Sequence, residues 1–195
     1  EHAGVFHIYY TGHNPHFAEQ GKPVQAVMHA TSPDLIRWTK DPANPILFAD
    51  PSRYEMDDWR DPFVFWNDEA GEFWMLLAAR EKTGPSNRRG CTALVTSPDL
   101  EEWAIQEPFW SPSLYYTHEC PDLFRWQEQW VLVFSEFSQD TVTRYRMSSS
   151  LAGPWLAPAN DTFDARAFYA AKTVSDPNRR FALGWIPTRE GETDT

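Results

Sequence analysis

Thr31-Ser32-Pro33-Asp34-Leu35-Ile36-Arg37-Trp38 reappears as Thr96-Ser97-Pro98-Asp99-Leu100-Glu101-Glu102-Trp103, 65 positions further along the chain. A looser third copy, Ser148-Ser149-Ser150-Leu151-Ala152-Gly153-Pro154-Trp155, follows after another 52. The physical content of the unit is legible. Ser-Pro-Asp opens a tight turn, because proline presets φ and the aspartate side chain bonds nearby backbone N–H groups. The leucine and tryptophan that follow are expected to tuck beneath the turn and pack on a neighbouring strand. A period of roughly 50–65 residues leaves room for about four strands, the size of a β-propeller blade. A sandwich also contains many short strands, but it has no reason to repeat its turn chemistry.

Between the turns lie apolar runs of strand length. They are Val5–Tyr10, Val24–Ala30, Pro62–Trp66, Phe73–Ala79, Cys91–Ser97, Asp122–Trp126, Trp130–Glu136, Thr141–Met147, Arg166–Val174 and Arg180–Ile186. β-Branched and aromatic residues dominate several of them. No segment keeps a 3.6-residue apolar period over three turns, and 16 prolines punctuate the chain. The expectation is an all-β, mostly antiparallel fold. With 195 residues, about three four-stranded blades fit, whereas propellers typically close with roughly four to eight. Residues 1–195 therefore read as one partial propeller domain, an incomplete ring whose missing blades belong to a parent chain.

Seventeen basic against 28 acidic residues give a formal net charge of −11, the wrong sign for a nucleic-acid partner. No run approaches the roughly 18 apolar residues of a membrane span. Glu1-His2-Ala3-Gly4 shows neither the basic nor the apolar part of a signal peptide, and localisation stays open between cytoplasm and secretion. Cys91 and Cys120 are too few for a disulfide scaffold. His13 and His16 share a polar loop without acidic or thiol partners, so no metal is expected there, and no cofactor elsewhere. Glu55, Asp57 and Asp58 lack the alternation of a calcium loop and read as a charged rim. The aromatic fraction of 15%, with 10 tryptophans, suits flat platforms for sugar rings, although most of these rings must be core.

Two segments set carboxylates among aromatics at strand starts: Asp57-Asp58-Trp59-Arg60-Asp61-Pro62-Phe63 and Thr117-His118-Glu119-Cys120-Pro121-Asp122-Leu123-Phe124. The innermost strand of each blade lines the central channel, so acids of successive blades can converge there. Two converging carboxylates can cleave a glycosidic bond, one protonating the leaving oxygen and the other meeting an oxocarbenium-like charge. Taken alone, acids that cap strand starts explain the same pattern.

Arg60-Asp61-Pro62 and Glu119-Cys120-Pro121-Asp122-Leu123-Phe124 resemble two signatures of glycoside hydrolase family 32, the β-fructofuranosidases that include invertases, inulinases and levanases. Tyr9-Tyr10-Thr11-Gly12, Gln25 with its following turn, Asn44-Pro45-Ile46, Phe168-Tyr169-Ala170-Ala171 and Gly184-Trp185-Ile186-Pro187 resemble further segments in the same order. The resemblance covers essentially the whole chain. It implies a five-bladed catalytic propeller, here approximately blades two to four, acting on sucrose or fructans with retention. It also implies roles. Glu119 would be the general acid/base, with its pKa raised, and Asp61 the transition-state stabiliser. Arg60 would orient the sugar and keep Asp61 ionised. Trp59 and Tyr116, nearest the acids in sequence, would touch the carbohydrate substrate, and Cys120 would be a buried neighbour.

The family's nucleophile lies in an Asn-Asp-Pro-Asn-Gly-like segment, for which this chain has no counterpart. The chain alone is accordingly expected to be inactive. Two further readings compete: a related arabinan- or xylan-active propeller glycosidase, and a non-catalytic carbohydrate-binding propeller.

Overall fold

The computed structural model describes residues 1–138, 141–163 and 168–186. Four antiparallel sheets follow one another along the chain. The first contains β1 (Phe6–His13), β2 (Gln25–Ser32) and β3 (Thr39–Lys40), and the second contains β4 (Tyr54–Asn67), β5 (Glu72–Glu81), β6 (Gly90–Ser97) and β7 (Ala104–Ile105). The third is built from β8 (Glu119–Trp126), β9 (Gln129–Glu136) and β10 (Val142–Ser148), and the fourth from β11 (Tyr169–Ser175) and β12 (Arg180–Trp185). Isolated bridges from Leu156 and Thr162 run along the outer edge of β10, where a fourth strand would pair. The architecture is an open arc of propeller blades. Among the described residues only the second sheet has four strands, the last of them two residues long.

The repeated turn sets this arrangement. Ala30 pairs with Lys40 and Thr31 with Thr39 in the first sheet, and Val95 with Ile105 and Thr96 with Ala104 in the second. The spacing in sequence is thus reproduced in strand register, so β2 matches β6 and β1 matches β5. In the second copy Ser97 Oγ accepts the amides of Asp99 and Leu100, while Asp99 Oδ1 accepts those of Glu101 and Glu102. Leu35 and Leu100 both take a left-handed conformation, with φ of 62° and 70°.

The expected packing of leucine and tryptophan holds for two copies and fails for the first. Leu100 is 4% exposed and Leu35 58%. The difference lies in what covers them. Tyr9 of the first sheet donates to the Leu100 carbonyl and meets Trp103 edge-on at 5.4 Å. Trp155 packs against Phe109, and Leu151 is buried with them. Among the described residues no sheet lies over Leu35 and Trp38, which stay exposed.

Strand alternation builds the cores between sheets. Met75, Leu77 and Ala79 of β5 point toward the first sheet, meeting Val27, Tyr54 and Trp59. Leu76 points the other way, joining Leu123, Leu132 and Phe134 of the third sheet. Val131 and Val133 of β9 face the fourth, with Ala171. A strand buried on both faces carries no polar alternation, which is why β5 and β9 read as continuous apolar runs. The strand expected to begin at Pro62 begins at Tyr54; its charged first half is interrupted by two register shifts, and its Glu55 and Asp58 are ion-paired within the structure. The strand expected over 166–174 is found as Tyr169–Ser175, and positions 166 and 167 lie outside the described residues, as does Pro187.

His118 is wholly buried between the second and third sheets, stacked on Trp110 at 4.8 Å and packed against Phe134. Neither ring nitrogen has a hydrogen-bond partner. Burial, assisted by the Arg146 charge, pushes its pKa down to about 3. The unfolded chain therefore takes up this proton first, near pH 6.5. The contribution of neutral His118 to stability is intact above that pH and is lost as pH falls toward 3. Chemical denaturation of the full-length protein at pH 7, 6 and 5 should show stability falling with acidification, by up to about 1.4 kcal/mol per pH unit from this group. His118→Gln should remove that part of the slope; an unchanged slope would mean that His118 is protonated in the native state.

Candidate active site

The innermost strands β4, β8 and β11 share one irregularity. Each carries a register shift, at the start of β8 and β11 and midway along β4, and at each of these a residue other than glycine adopts positive φ: Asp61 at 57°, Cys120 at 50° and Ala170 at 54°. Such a bulge turns a backbone amide out of the ladder and re-aims the side chain before it. The three amides are all taken by side chains of the preceding sheet. Asp61 N donates to Thr11 Oγ1 at 3.0 Å, Cys120 N to Asp61 Oδ2 at 2.9 Å, and Ala170 N to Ser135 Oγ at 2.9 Å. Ser135 is the register partner of Glu119, and the corresponding partner of Arg60 is Ala78, which has no hydroxyl. The Asp61 carboxylate supplies the acceptor there instead.

The residues immediately before the bulges are Arg60, Glu119 and Tyr169, and the structure brings all three together. The Arg60 guanidinium donates to Glu119 Oε1 through Nη2 at 2.7 Å and Nε at 3.2 Å. Tyr169 donates its hydroxyl to Glu119 Oε2 in a short bond. Arg60 also holds Asp58 at 2.6 Å, while its approach to Asp61 is 3.9 Å. Arg60, expected to orient the sugar and keep Asp61 ionised, thus has Glu119 and Asp58 as its close partners. Gln25 orients the group from the first sheet, accepting from Trp59 N at 3.0 Å and Arg60 Nη1 at 3.3 Å.

Charge balance around this cluster is tight. Burial opposes the Arg60 charge, but its bonds to Asp58 and Glu119 outweigh that cost and raise its pKa. Burial raises the Tyr169 hydroxyl too, and the adjacent Glu119 pushes in the same direction, so it stays a donor. Cys120 is pushed up to about 12 by burial and then by Asp61, which leaves a neutral thiol. That agrees with a neighbour of the site and excludes a thiolate nucleophile at ordinary pH. Lys172 lies largely buried beneath, its Nζ donating to the Pro121 carbonyl at 2.6 Å. Burial lowers its pKa against the opposing pull of Asp122.

Trp59 and Tyr116, expected as substrate contacts, do not join this cluster. Trp59 is 0% exposed, inside the core between the first and second sheets, 5.2 Å from Tyr54. Strand alternation sends it to the face opposite Asp58 and Arg60, so proximity in sequence to the acids was the wrong guide. Tyr116 lies one step outward. Its carbonyl accepts from Arg80 Nη1 at 2.6 Å, and its ring rests on that guanidinium at 3.7 Å. Arg80 in turn pairs with Glu55 at 2.7 Å and Asp58 at 3.4 Å. Of the acids expected to form a charged rim, Glu55 and Asp58 belong to an ion-pair network, while Asp57 stays exposed and accepts from the Val24 amide. Sequence reasoning did not single out Arg80, and it quoted Tyr169 and Thr11 within family-like segments without giving either a role. Tyr169 had one available signal, since Tyr169-Ala170 stands in its strand as Arg60-Asp61 and Glu119-Cys120 stand in theirs. Among the described residues no group of three or more metal-ligating side chains gathers, at His13 and His16 or elsewhere.

These features meet a known family. The model of the glycosyl hydrolases family 32 N-terminal domain matches residues 1–195. The insoluble β-fructofuranosidase isoenzyme 1 of Daucus carota is 28% identical over 181 residues, which is 80% of this chain and 30% of that protein. The levanase of Bacillus subtilis is 27% identical over 190 residues, 86% of this chain and 26% of its own. A family 32 β-fructofuranosidase structure from Bombyx mori superposes with a TM-score of 0.75 at 19% identity, covering 98% of this chain and 42% of that one. The chain thus spans about a third of the curated relatives it matches. It belongs to glycosyl hydrolase family 32, as a segment of the propeller-forming N-terminal domain.

Proposed function

We propose that these residues are part of a retaining β-fructofuranosidase that cleaves sucrose or fructans. The observation that supports this most directly is the convergence of Arg60, Asp61 and Glu119 from adjacent innermost strands. An Arg60–Glu119 ion pair and a Cys120 amide bonded to Asp61 join them. In this reading Glu119 gives a proton to the leaving oxygen as the bond to the fructosyl anomeric carbon breaks, then takes one from the incoming water. Asp61 accepts hydrogen bonds from fructosyl hydroxyls and meets the positive charge of the oxocarbenium-like transition state. Arg60 anchors Glu119 and reaches the sugar from the same side. Tyr169 is a positioning residue: it touches Glu119 rather than the substrate.

A retaining displacement needs a second carboxyl about 5–5.5 Å from the acid. Asp58 is a poor candidate, held between Arg60 and Arg80. We assign the nucleophile to a part of the longer protein outside these 195 residues, and place this chain as a contiguous run of blades within the ring. The carbohydrate substrate is the partner this reading requires.

In the full-length protein Glu119→Gln should lower kcat on sucrose by about 10²–10⁴-fold, measured as reducing-sugar release. Residual turnover within tenfold of wild type would remove Glu119 from the acid/base role. An inert wild-type protein that still binds fructans would favour the binding-module reading. Tyr169→Phe deletes one donor without changing the ring. It should lower kcat roughly tenfold and leave KM within about twofold, since one hydrogen bond to a charged group is worth about 1.5–3 kcal/mol. A KM effect larger than the kcat effect would place Tyr169 on the substrate instead.

A further inference from the structure

The bulges displace carbonyls as well as amides. In each innermost strand the residues at the shift have no register partner: Asp61 and Pro62, Cys120 and Pro121, Ala170 and Ala171. Pairing resumes at Phe63, Asp122 and Lys172, against Leu76, Val133 and Leu183. These three positions are therefore equivalent, and they form the next layer beneath Arg60, Glu119 and Tyr169. Like the layer above, they meet across strands. The Lys172 ammonium stands 5.0 Å from the centre of the Phe63 ring, and Asp122 Oδ2 accepts at 2.5 Å from the amide of Thr173, the residue after Lys172.

Lys172 is the member of this layer whose task no step above explains. Among the described residues its Nζ makes one hydrogen bond, to the Pro121 carbonyl at 2.6 Å, and no ion pair. That carbonyl belongs to the second residue of the bulge that aims Glu119. The bulge is thus gripped from both neighbouring sheets. Asp61 of the second holds the Cys120 amide at 2.9 Å, and Lys172 of the fourth holds the Pro121 carbonyl. Strand β11 acts twice on the same segment, since its Tyr169 holds the Glu119 carboxylate itself.

The choice of residue is informative. A buried ammonium carries a desolvation cost that a neutral side chain avoids. A charge-assisted hydrogen bond is in return roughly twice as strong as a neutral one, which suits a clamp better than a space-filling role. Proton transfer depends steeply on placement, a displacement of about 1 Å being enough to cost on the order of 10²-fold in rate. We propose that Lys172 is a positioning residue for the general acid: it fixes the backbone of the Cys120–Pro121 bulge while Tyr169, from the same strand, fixes the Glu119 carboxylate. This role rests on the fructosidase reading and extends it to a residue that acts through the backbone.

The test uses the full-length protein and two substrates, sucrose and p-nitrophenyl β-D-fructofuranoside, whose phenolate departs with little help from an acid. Lys172→Met, similar in length but without the donor, should lower kcat/KM on sucrose roughly tenfold and on the aryl fructoside less than about twofold. Lys172→Gln, a shorter and neutral donor, should move the ratio of the two in the same direction by about threefold. Both substrates are measured on one preparation, so the ratio does not depend on how much of a variant is folded. Glu119→Gln sets the scale, with a larger change of the same sign. In protein already carrying Glu119→Gln, adding Lys172→Met should change kcat/KM on sucrose less than about twofold, because the acid it positions is gone. If wild type cleaves both substrates while the two Lys172 variants lower both equally, or lower neither, Lys172 only ties the sheets together and the fructosidase reading stands. If Glu119→Gln leaves the ratio unchanged, Glu119 is not the acid and the role of Lys172 falls with it. If wild type cleaves neither substrate, the fructosidase reading itself is overturned.

Discussion

Three backbone amides, those of Asp61, Cys120 and Ala170, govern how the blades meet and where the chemistry sits. Each belongs to a residue with positive φ, a conformation that costs an L-residue of the order of 1 kcal/mol or more. Each is turned out of its own strand and would be orphaned if the neighbouring sheet did not supply an oxygen. The bulge therefore joins two properties. It aims Arg60, Glu119 and Tyr169 toward one another, and it makes their aim depend on correct docking of the sheet before. Asp61 belongs to both sides of the arrangement, because its amide is capped and its carboxylate caps the next strand.

Around that spine the charges form a connected network. Arg60 and Arg80 each hold two carboxylates, and Arg80 spends its remaining donors on the carbonyls of Tyr116 and Ser86. Ions this shielded are tolerable because nearly every donor has an acceptor. Deleting one partner of a buried pair typically costs about 3–5 kcal/mol, since the other charge is left behind. Polar order in the site and apolar order between the sheets are thus not separable. β5 places Arg80 in the network at one end and Met75, Leu76 and Leu77 in two cores along its length.

The blade repeat was visible in the sequence because a tight turn needs particular residue types at fixed offsets, and the offsets survive as strand register. Arg60, Asp61 and Glu119 were visible through family signatures. What escaped was governed by tertiary context. Trp59 is flanked by site residues, yet the pleat turns it into the core. Leu35 and Leu100 end the same Thr-Ser-Pro-Asp-Leu stretch, and the covering sheet decides which is buried. Tyr169 stood inside a family-like segment, but nothing in that segment gave it a role, since a tyrosine in a strand is ordinary. The two-residue strands β3 and β7 are too short to show any periodicity, and their existence follows from pairing alone.

The three bulge caps all run in one direction. Thr11 serves Asp61, Asp61 serves Cys120 and Ser135 serves Ala170, and in every case the oxygen precedes the amide in the chain. Gln25 to Trp59 and Asp122 to Thr173 obey the same order, and the exposed Val24 amide, which donates to Asp57, runs against it. The arc consequently has a grain. A polypeptide emerging from the ribosome with its N-terminus leading presents each acceptor before the strained strand that requires it, so the blades can be laid down as a template-directed series. A circular permutant cut between two sheets would reverse that order at the cut, leaving one bulge to wait for its acceptor until synthesis was complete.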